Sequence, residues 1–378
     1  MNPFDPDMAS MIHNEMRRHG IKLVLGYTVE GFKEKDNGVE VLLKDNPSLQ
    51  ADMVVLAIGV TPDTVLAKEA GLELGIKGSI VVNDRMETSV PDIYAAGDAV
   101  QVKHYVTGND ALISLAGPAN KHGRIIADNI CGGDSRYLGS QGSSVIKVFD
   151  MTAATTGINE TNAKKSGLEV DTVILSPMSH AGYYPGGKVM TMKVVFEKET
   201  YRLLGAQIIG YEGVDKRIDV LATVIHAGLK ATQLKDLDLA YAPPYSSAKD
   251  PVNMAGFMID NIAKGTLKQW HLEDMDKISR DKSVVLLDVR TVGEFNRGHM
   301  DGFKNIPVDE LRERINEIEK GKPVYLICQS GLRSYIASRI LEGNGYETYN
   351  FSGGFRFYDA VVNDRALIEK AYACGMDY

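Results

Sequence analysis

The sequence predicts an α/β protein of two or three domains, and three observations predict it. Its 378 residues exceed one ordinary core, at about 150 residues per domain. Helical periodicity and short apolar runs alternate from the first residues onward. From residue 275 the order becomes strand, helix, strand, helix, strand, as expected of a small parallel sheet with covering helices.

Residues 5–19 read as a helix. Asp5 is placed to cap it, Pro6 suits the first helical position, Met8, Ile12 and Met16 mark an apolar face, and Gly20 suits a left-handed stop. A short strand is expected at 21–25. Asp36-Asn37-Gly38 lies between alternating runs at 27–33 and 39–43, a hairpin signal. The continuous apolar run at 53–58 reads as a strand buried on both faces. A complete dinucleotide-binding unit would open with a strand and a glycine-rich turn at a helix N-terminus. No G-x-G-x-x-G occurs in the sequence, so the chain is expected to begin inside a nucleotide-binding domain.

A net charge of −8 supplies no basic field for nucleic acid or an anionic membrane surface. No apolar run reaches the ~18 residues of a spanning helix, and no charged-then-apolar leader opens the chain. A cytoplasmic protein with neither partner is expected. Cys131, Cys328 and Cys374 lie too far apart for a disulfide framework or a metal knuckle, so no metal is expected. Cys131, ending a helix beside Gly132-Gly133, reads as a small apolar packing residue.

Thr88-Ser89-Val90-Pro91-Asp92-Ile93-Tyr94-Ala95-Ala96-Gly97-Asp98-Ala99 predicts a strand over 93–96 running into a Gly-Asp turn. An acidic side chain there can accept hydrogen bonds from ligand hydroxyls, though Gly-Asp after a strand is also an ordinary turn. With its flanks, this segment resembles the second flavin motif of the two-dinucleotide-binding-domain flavoprotein reductases. Leu56-Ala57-Ile58-Gly59-Val60-Thr61-Pro62-Asp63 looks like their return from the pyridine-nucleotide domain to the flavin domain. The resemblance implies that Gly97, Asp98 and Ala99 meet FAD, with Asp98 on the ribityl chain. A helix follows over 115–130. In those reductases its N-terminus faces the flavin's pyrimidine edge, where its dipole stabilises developing negative charge. His122 is assigned by the resemblance to the coenzyme and substrate site; on its own it also reads as a surface histidine near a helix start.

Residues 188–197 and 203–211 read as neighbouring strands, and 216–227 as a helix with Ile218, Leu221, Ala222 and Ile225 inward. The role expected for 144–265 is dimerisation. Tyr241-Ala242-Pro243-Pro244-Tyr245-Ser246-Ser247-Ala248-Lys249-Asp250 gathers phenols, hydroxyls and a lysine on a proline-stiffened loop, which is site chemistry more than core chemistry. Together with His180-Ala181-Gly182-Tyr183-Tyr184-Pro185-Gly186, it closely resembles the coenzyme A-disulfide reductase branch of the flavoproteins. By that resemblance the protein is a homodimer, Tyr183 and Tyr241 lie near flavin and coenzyme A, and Lys249 contacts the coenzyme. The family's redox cysteine belongs to an N-terminal flavin half that has no counterpart in this sequence.

Residues 265–274 read as a linker. Beyond it, strands are expected at 284–289, 324–327 and 347–350, with helices at 308–318 and 334–342. Cys328 ends the middle strand in Cys328-Gln329-Ser330-Gly331-Leu332-Arg333, where backbone N–H groups and Arg333 favour a thiolate. This loop resembles that of the rhodaneses, with matching landmarks in Leu287-Asp288-Val289-Arg290, Glu294-Phe295, Gly298-His299 and Phe351-Ser352-Gly353-Gly354-Phe355. The six-residue loop implies sulfur transfer, since the related phosphatases use one residue more.

The fold class expected is therefore α/β: a partial two-dinucleotide-binding-domain flavoprotein, an α+β dimerisation domain and an α/β rhodanese domain. The boundaries read are 1–56 for a pyridine-nucleotide-domain remnant, 57–140 for part of an FAD domain, 141–265 for dimerisation and 275–378 for rhodanese. The function implied is an FAD- and coenzyme A-dependent NAD(P)H reductase of coenzyme A disulfide, persulfides or polysulfide, coupled to sulfur transfer at Cys328. A stand-alone sulfurtransferase and a catalytically incomplete dimerising fragment are the alternatives.

Overall fold

The structure, a computed structural model, describes residues 1–374 and divides into two compact units. Residues 20–142 belong to one; residues 1–19 and 143–363 form the other. The chain opens with helix α1 (Pro6–Arg18), as expected, and Gly20 takes the left-handed φ of 81° that ends it.

In the 20–142 unit, strands β1 (Val29–Lys35) and β2 (Gly38–Leu43) form the expected hairpin, and β3 (Leu49–Ala51) extends it antiparallel. Lys35 faces Gly38 across the Asp36-Asn37 turn. Neither 21–25 nor 53–58 forms a strand. The apolar run at 53–58 is exposed, with Ile58 at 91%, because no strand among the described residues hydrogen-bonds to it. After helix α2 (Val65–Glu69) come β4 (Ile80–Val81), β5 (Val100–Lys103) and β6 (Asp110–Ala111), ordered β4-β5-β6. The strand expected at 93–96 reduces to a single bridge between Glu87 and Tyr94, followed by a tight turn at Gly97–Ala99. Helix α3 (Ala116–Ile130) packs Ile125 and Ile126 against Met86, Val100 and Val102.

The second unit holds two five-stranded sheets. Strands β7 (Ser144–Val148) and β8 (Met151–Gly157) lead through helix α4 (Glu160–Lys165) to β9 (Val170–Leu175), β10 (Met190–Glu197) and β11 (Leu203–Gly210). Their antiparallel order is β7-β8-β11-β10-β9. Helix α5 (Val214–His226) covers β8 and β11 with Ile218, Leu221 and Ile225, and helix α6 (Pro251–Ala263) follows. The second sheet is parallel, ordered β12-β16-β15-β13-β14. It comprises β12 (Gln269–Trp270), then, after the short helix α7 (Met275–Ile278), β13 (Val285–Asp288); helix α8 (Val292–Asn296) leads to β14 (Lys304–Asn305) and β15 (Val324–Ile327). Helix α9 (Leu332–Glu342), β16 (Thr348–Phe351) and helix α10 (Gly354–Cys374), as far as residue 363, complete it. The side chain of Cys374 lies outside the described residues, and Cys131 is exposed rather than packed.

Two sequence expectations fail here for packing reasons. The segment read as linker supplies β12, whose Trp270 is buried and donates from Nε1 to the Leu326 carbonyl at 3.3 Å. The helix expected at 308–318 is a chain of tight turns, bonded Glu310 N to Pro307 O, Leu311 N to Val308 O and Ile318 N to Ile315 O. Turns of this i to i+3 kind still bury Leu311 and Ile318, so the apolar spacing was real but its period was nearer three.

Asp5 departs from its expected role in a third way. It precedes α1 but makes no cap bond to it. Its carboxylate instead caps α4, accepting from Glu160 N at 3.1 Å and from Thr161 N at 2.9 Å, and also accepts from Gln207 Nε2 at 2.6 Å. On β10, Lys193 is 1% exposed and meets Asp7 at 2.7 Å, Glu160 at 2.7 Å and Asp5 at 3.2 Å. Burial alone would push its ammonium down, but the three carboxylates outweigh it and hold its pKa above the ordinary lysine value. These bonds, with Met8 and Ile12 in the shared core, fasten α1 to the antiparallel sheet.

Candidate functional site

The parallel sheet delivers Cys328 to the C-terminal end of β15, where the chain must turn into α9. Gly331 makes that turn at φ 96°, a left-handed conformation that a side chain would strain. The loop curls over the sulfur: Gly331 N donates to Sγ at 3.1 Å and Ser334 Oγ to Sγ at 3.2 Å. Cys328 is 1% exposed. A second turn clamps the loop from outside, with Phe355 N donating to the Cys328 carbonyl at 2.8 Å and Arg356 N to the Gln329 carbonyl at 3.2 Å. A Cβ at Gly354 would lie 2.7 Å from Ser330 N, so this close approach requires glycine. The Ser352-Gly353-Gly354-Phe355 landmark is thus a brace for the sulfur loop.

Arg333 turns to the side. Its two terminal nitrogens each donate to Glu294 at 2.7 Å, a bidentate pair. Arg333 holds the Glu294 carboxyl down to about 2. A depressed carboxylate stabilises the fold above its unfolded value near 4.5, and that contribution is lost as pH falls through about 2. Glu294 also closes a capping box with Thr291 on α8. Asp288 and Arg290 pair in the buried layer beneath, with the Arg290 guanidinium 3.8 Å from the Phe355 ring centre. Arg333→Ala should lower sulfur transfer by about tenfold or less, because the loop N–H donors remain. Glu294→Gln should cost a similar amount, and the double variant no more than either. Steady-state transfer rates of all three would check this, and additive losses would mean the two residues act separately.

The expected coenzyme residues lie on two loops of the antiparallel-sheet region. Tyr183 and Tyr241 meet hydroxyl to hydroxyl at 2.9 Å, with Tyr183 77% exposed. Their hydrogen bond holds the Tyr241 phenol above its ordinary pKa. Lys249 lines a cavity of about 520 Å3 whose walls include Ser247, Met254, Phe257, Ser330 and Tyr335. Ser330 belongs to the sulfur loop, so one cavity joins Lys249 to the neighbourhood of Cys328. Asn350, also in that wall, donates to the Gly331 carbonyl at 3.2 Å. The structure therefore brings Lys249 and the Cys328 loop together, with Tyr183 and Tyr241 paired separately.

In the 20–142 unit, Gly97 takes φ 78° and Asp98 stands exposed on the turn. His122 is buried, not on the surface; its Nδ1 accepts from Gly97 N at 3.2 Å, and its ring meets Tyr137 edge-on at 4.4 Å between centroids. Burial pushes its pKa down, so the neutral ring braces the turn that presents Asp98. Its Nε2 is buried with no partner among the described residues. An exposed carboxylate beside an open helix N-terminus suits a hydroxyl-rich ligand such as a flavin's ribityl chain, but the sequence has no glycine-rich turn to hold the pyrophosphate. The residues present fit part of an FAD site. The sequence assigns no site role to Glu294, Ser334 or Asn350: Glu294 and Ser334 stand within the rhodanese-like motifs without a partner named, and the partners of Glu294 and Asn350 lie 39 and 19 residues away in the chain.

Fold and loop together define the class: a disulfide-oxidoreductase frame carrying a sulfurtransferase-type α/β domain. Residues 1–123 match the family described as pyridine nucleotide-disulphide oxidoreductase, 143–251 its dimerisation domain, and 271–360 the rhodanese-like domain. An NAD(P)H sulfur oxidoreductase (CoA-dependent) of Pyrococcus abyssi is 37% identical over 249 residues, 66% of this chain and 55% of its own length. A coenzyme A disulfide reductase of Staphylococcus aureus is 33% identical over 254 residues, 67% of this chain and 57% of its own. Among solved structures, reduced Bacillus anthracis CoADR-RHD superposes at TM-score 0.93 with 45% identity, covering 97% of this chain and 65% of that one. An NAD-dependent persulfide reductase from A. fulgidus gives 0.87 at 39% identity, covering 94% and 64%. The chain belongs to the pyridine nucleotide-disulphide oxidoreductase family, in the coenzyme A-disulfide reductase branch that carries a rhodanese domain. It spans little more than half the length of the curated relatives it matches.

Proposed function

We propose that this chain is the dimer-forming, sulfur-transferring part of an FAD- and coenzyme A-dependent NAD(P)H reductase of coenzyme A disulfide, persulfides or polysulfide. The observation that carries the reading is the cavity lined by both Lys249 and Ser330-Gly331 of the sulfur loop, which sets a coenzyme bound at Lys249 against the loop that carries Cys328. In the transfer step, the Cys328 thiolate attacks the outer sulfur of a sulfane donor. The donor's S–S bond breaks, its electron pair leaves with the donor, and Cys328 carries the persulfide. An acceptor thiolate then attacks that outer sulfur and regenerates Cys328, with no net oxidation. The Gly331 N–H and the Ser334 hydroxyl stabilise the anion at each stage.

FAD, where bound, supplies the electrons of NAD(P)H for cleaving the transferred disulfide or persulfide. Asp98 and the N-terminus of α3 are this chain's residues for holding it, Tyr183 and Tyr241 border the coenzyme thiol, and Lys249 meets the coenzyme as a point charge. A homodimer through 143–251 and a cytoplasmic setting accord with this reading, since a persulfide relay needs its thiols kept reduced. Among the described residues no helix is long and apolar enough to cross a membrane.

The test uses the chain joined to a flavin-binding half that carries a redox cysteine. Tyr241→Phe should lower kcat by about 1 to 3 kcal/mol of lost hydrogen bonding, with stability unchanged. Lys249→Ala should instead raise KM for the coenzyme substrate, by a factor that shrinks with added salt. Wild-type kinetics in both variants would overturn the reading. A second reading, a stand-alone sulfurtransferase, draws on the completeness of the Cys328 loop within the parallel-sheet domain; colourless protein with full transfer activity and no reductase activity in the joined form would favour it.

A further inference from the structure

We infer that Arg217 is the positioning residue that sets the spacing of the Tyr183 and Tyr241 loops. The inference rests on the reading that these tyrosines border the substrate thiol. Backbone pairing holds only the neck of the 176–189 loop, where Met178 bridges Val189 and Ser179 N donates to the Lys188 carbonyl at 2.7 Å, and 237–250 leads into α6 without regular strands. Nor does packing hold the phenols, because both are exposed.

Arg217 reaches both loops from α5. It is 1% exposed. Its Nη2 donates to the Ser179 carbonyl at 2.9 Å at the neck of the Tyr183 loop, and to the Tyr245 carbonyl at 3.3 Å and Ser246 Oγ at 3.2 Å in the Tyr241 loop. Nε and Nη2 also meet Asp250 Oδ2 at 3.2 and 3.0 Å, while Nη1 donates to the Gly213 carbonyl at 3.1 Å. Asp250 completes the frame, accepting from Ser246 Oγ at 2.6 Å and, through Oδ1, from Val252 N at 3.0 Å at the start of α6. Ala181 N donates to the Ser246 carbonyl at 3.0 Å, stitching the two loops directly.

One guanidinium thus bonds to both loops and to the helices behind them. A planar fork of five N–H donors fixes directions as well as distances; a lysine ammonium in the same place offers three donors from one point. A Cβ at Gly213 would come within 2.1 Å of Arg217 Nη1, so the glycine that starts α5 also leaves the fork its room. The consequence is a Tyr183–Tyr241 pair whose 2.9 Å contact is set from behind by a buried charge.

The experiment is a titration of Tyr241 in the 378-residue chain, followed by carbon NMR of ring-labelled tyrosine. In the wild type its pKa stands above an ordinary phenol because of Tyr183, and Tyr183→Phe defines the value without that bond. Arg217→Lys, with the charge kept and the fork lost, is expected to bring Tyr241 down to the Tyr183→Phe value while sulfur transfer at Cys328 continues as a control for folding. If Arg217→Lys does not fold, Ser246→Ala removes one loop contact without stranding a charge and should shift Tyr241 part of the way. An unshifted Tyr241 in whichever variant folds overturns the inference, even if melting temperature falls, since a purely structural arginine would change stability alone. The outcome is separable from the proposed function: a shifted Tyr241 beside wild-type kinetics in Tyr241→Phe would leave the clamp standing and sink the coenzyme role.

Discussion

Cys328→Ser loses sulfane sulfur transfer down to the uncatalysed level while the fold and its melting temperature stay nearly unchanged. The sulfur is the atom that carries the transferred sulfur, and a serine hydroxyl, far less acidic than a thiol, neither ionises near neutral pH nor forms a persulfide. The structural cost is small because oxygen replaces sulfur with little cavity, and the Gly331 N–H and Ser334 hydroxyl that met Sγ still have an acceptor. Transfer from thiosulfate or a persulfide to a thiol acceptor, measured beside a thermal melt, checks both halves. Transfer retained in the serine variant would remove Cys328 from the mechanism altogether.

Lys193→Ala should destabilise the 143–363 unit by about 3 to 5 kcal/mol, the usual cost of removing one partner from a buried ion cluster. The variant leaves Asp5, Asp7 and Glu160 facing one another without the ammonium that meets all three. Its pH signature follows from the shifts. Burial alone would raise Asp5 and Glu160, but Lys193 together with the Thr161 and Gln207 hydrogen bonds on Asp5, and Lys193 together with Lys164 on Glu160, hold them below their ordinary values of 3.8 and 4.5; their stabilisation is present above those values and is lost as pH falls further. Asp7 is raised by burial, so its ionisation works against the fold at neutral pH. Lys193 is raised, and its contribution is complete below 10.5 and lost only at higher pH. Without Lys193 all three carboxyls move up, so the deficit should be largest near neutrality and shrink on acidification as protonation relieves them. Chemical denaturation at pH 7 and pH 5 measures it; a deficit independent of pH would mean that the alanine costs only packing.

The sequence by itself determined the features whose causes are local. Asp36-Asn37-Gly38 gives a hairpin because its residues adopt the turn without help, and β1 and β2 formed within two residues of expectation. Cys328 sits at a strand end followed by Gly331 and a helix start, an arrangement written in consecutive residues, and the backbone donor expected there reaches the sulfur, though the side chain beside it is Ser334 and not Arg333. Tertiary structure decided the rest, because the deciding partner lies far off in the chain. Asp5 was placed to cap the helix that follows it, yet its carboxylate serves a helix some 155 residues away, where two free N–H groups and a buried lysine offer more than a proline-led N-terminus. Arg333 beside Cys328 reads as an anion partner, but Glu294, 39 residues earlier, takes both ends of its fork. The run at 53–58 has the composition of a central strand and remains exposed, since a strand's hydrogen bonds are made by its neighbours and not by its own side chains.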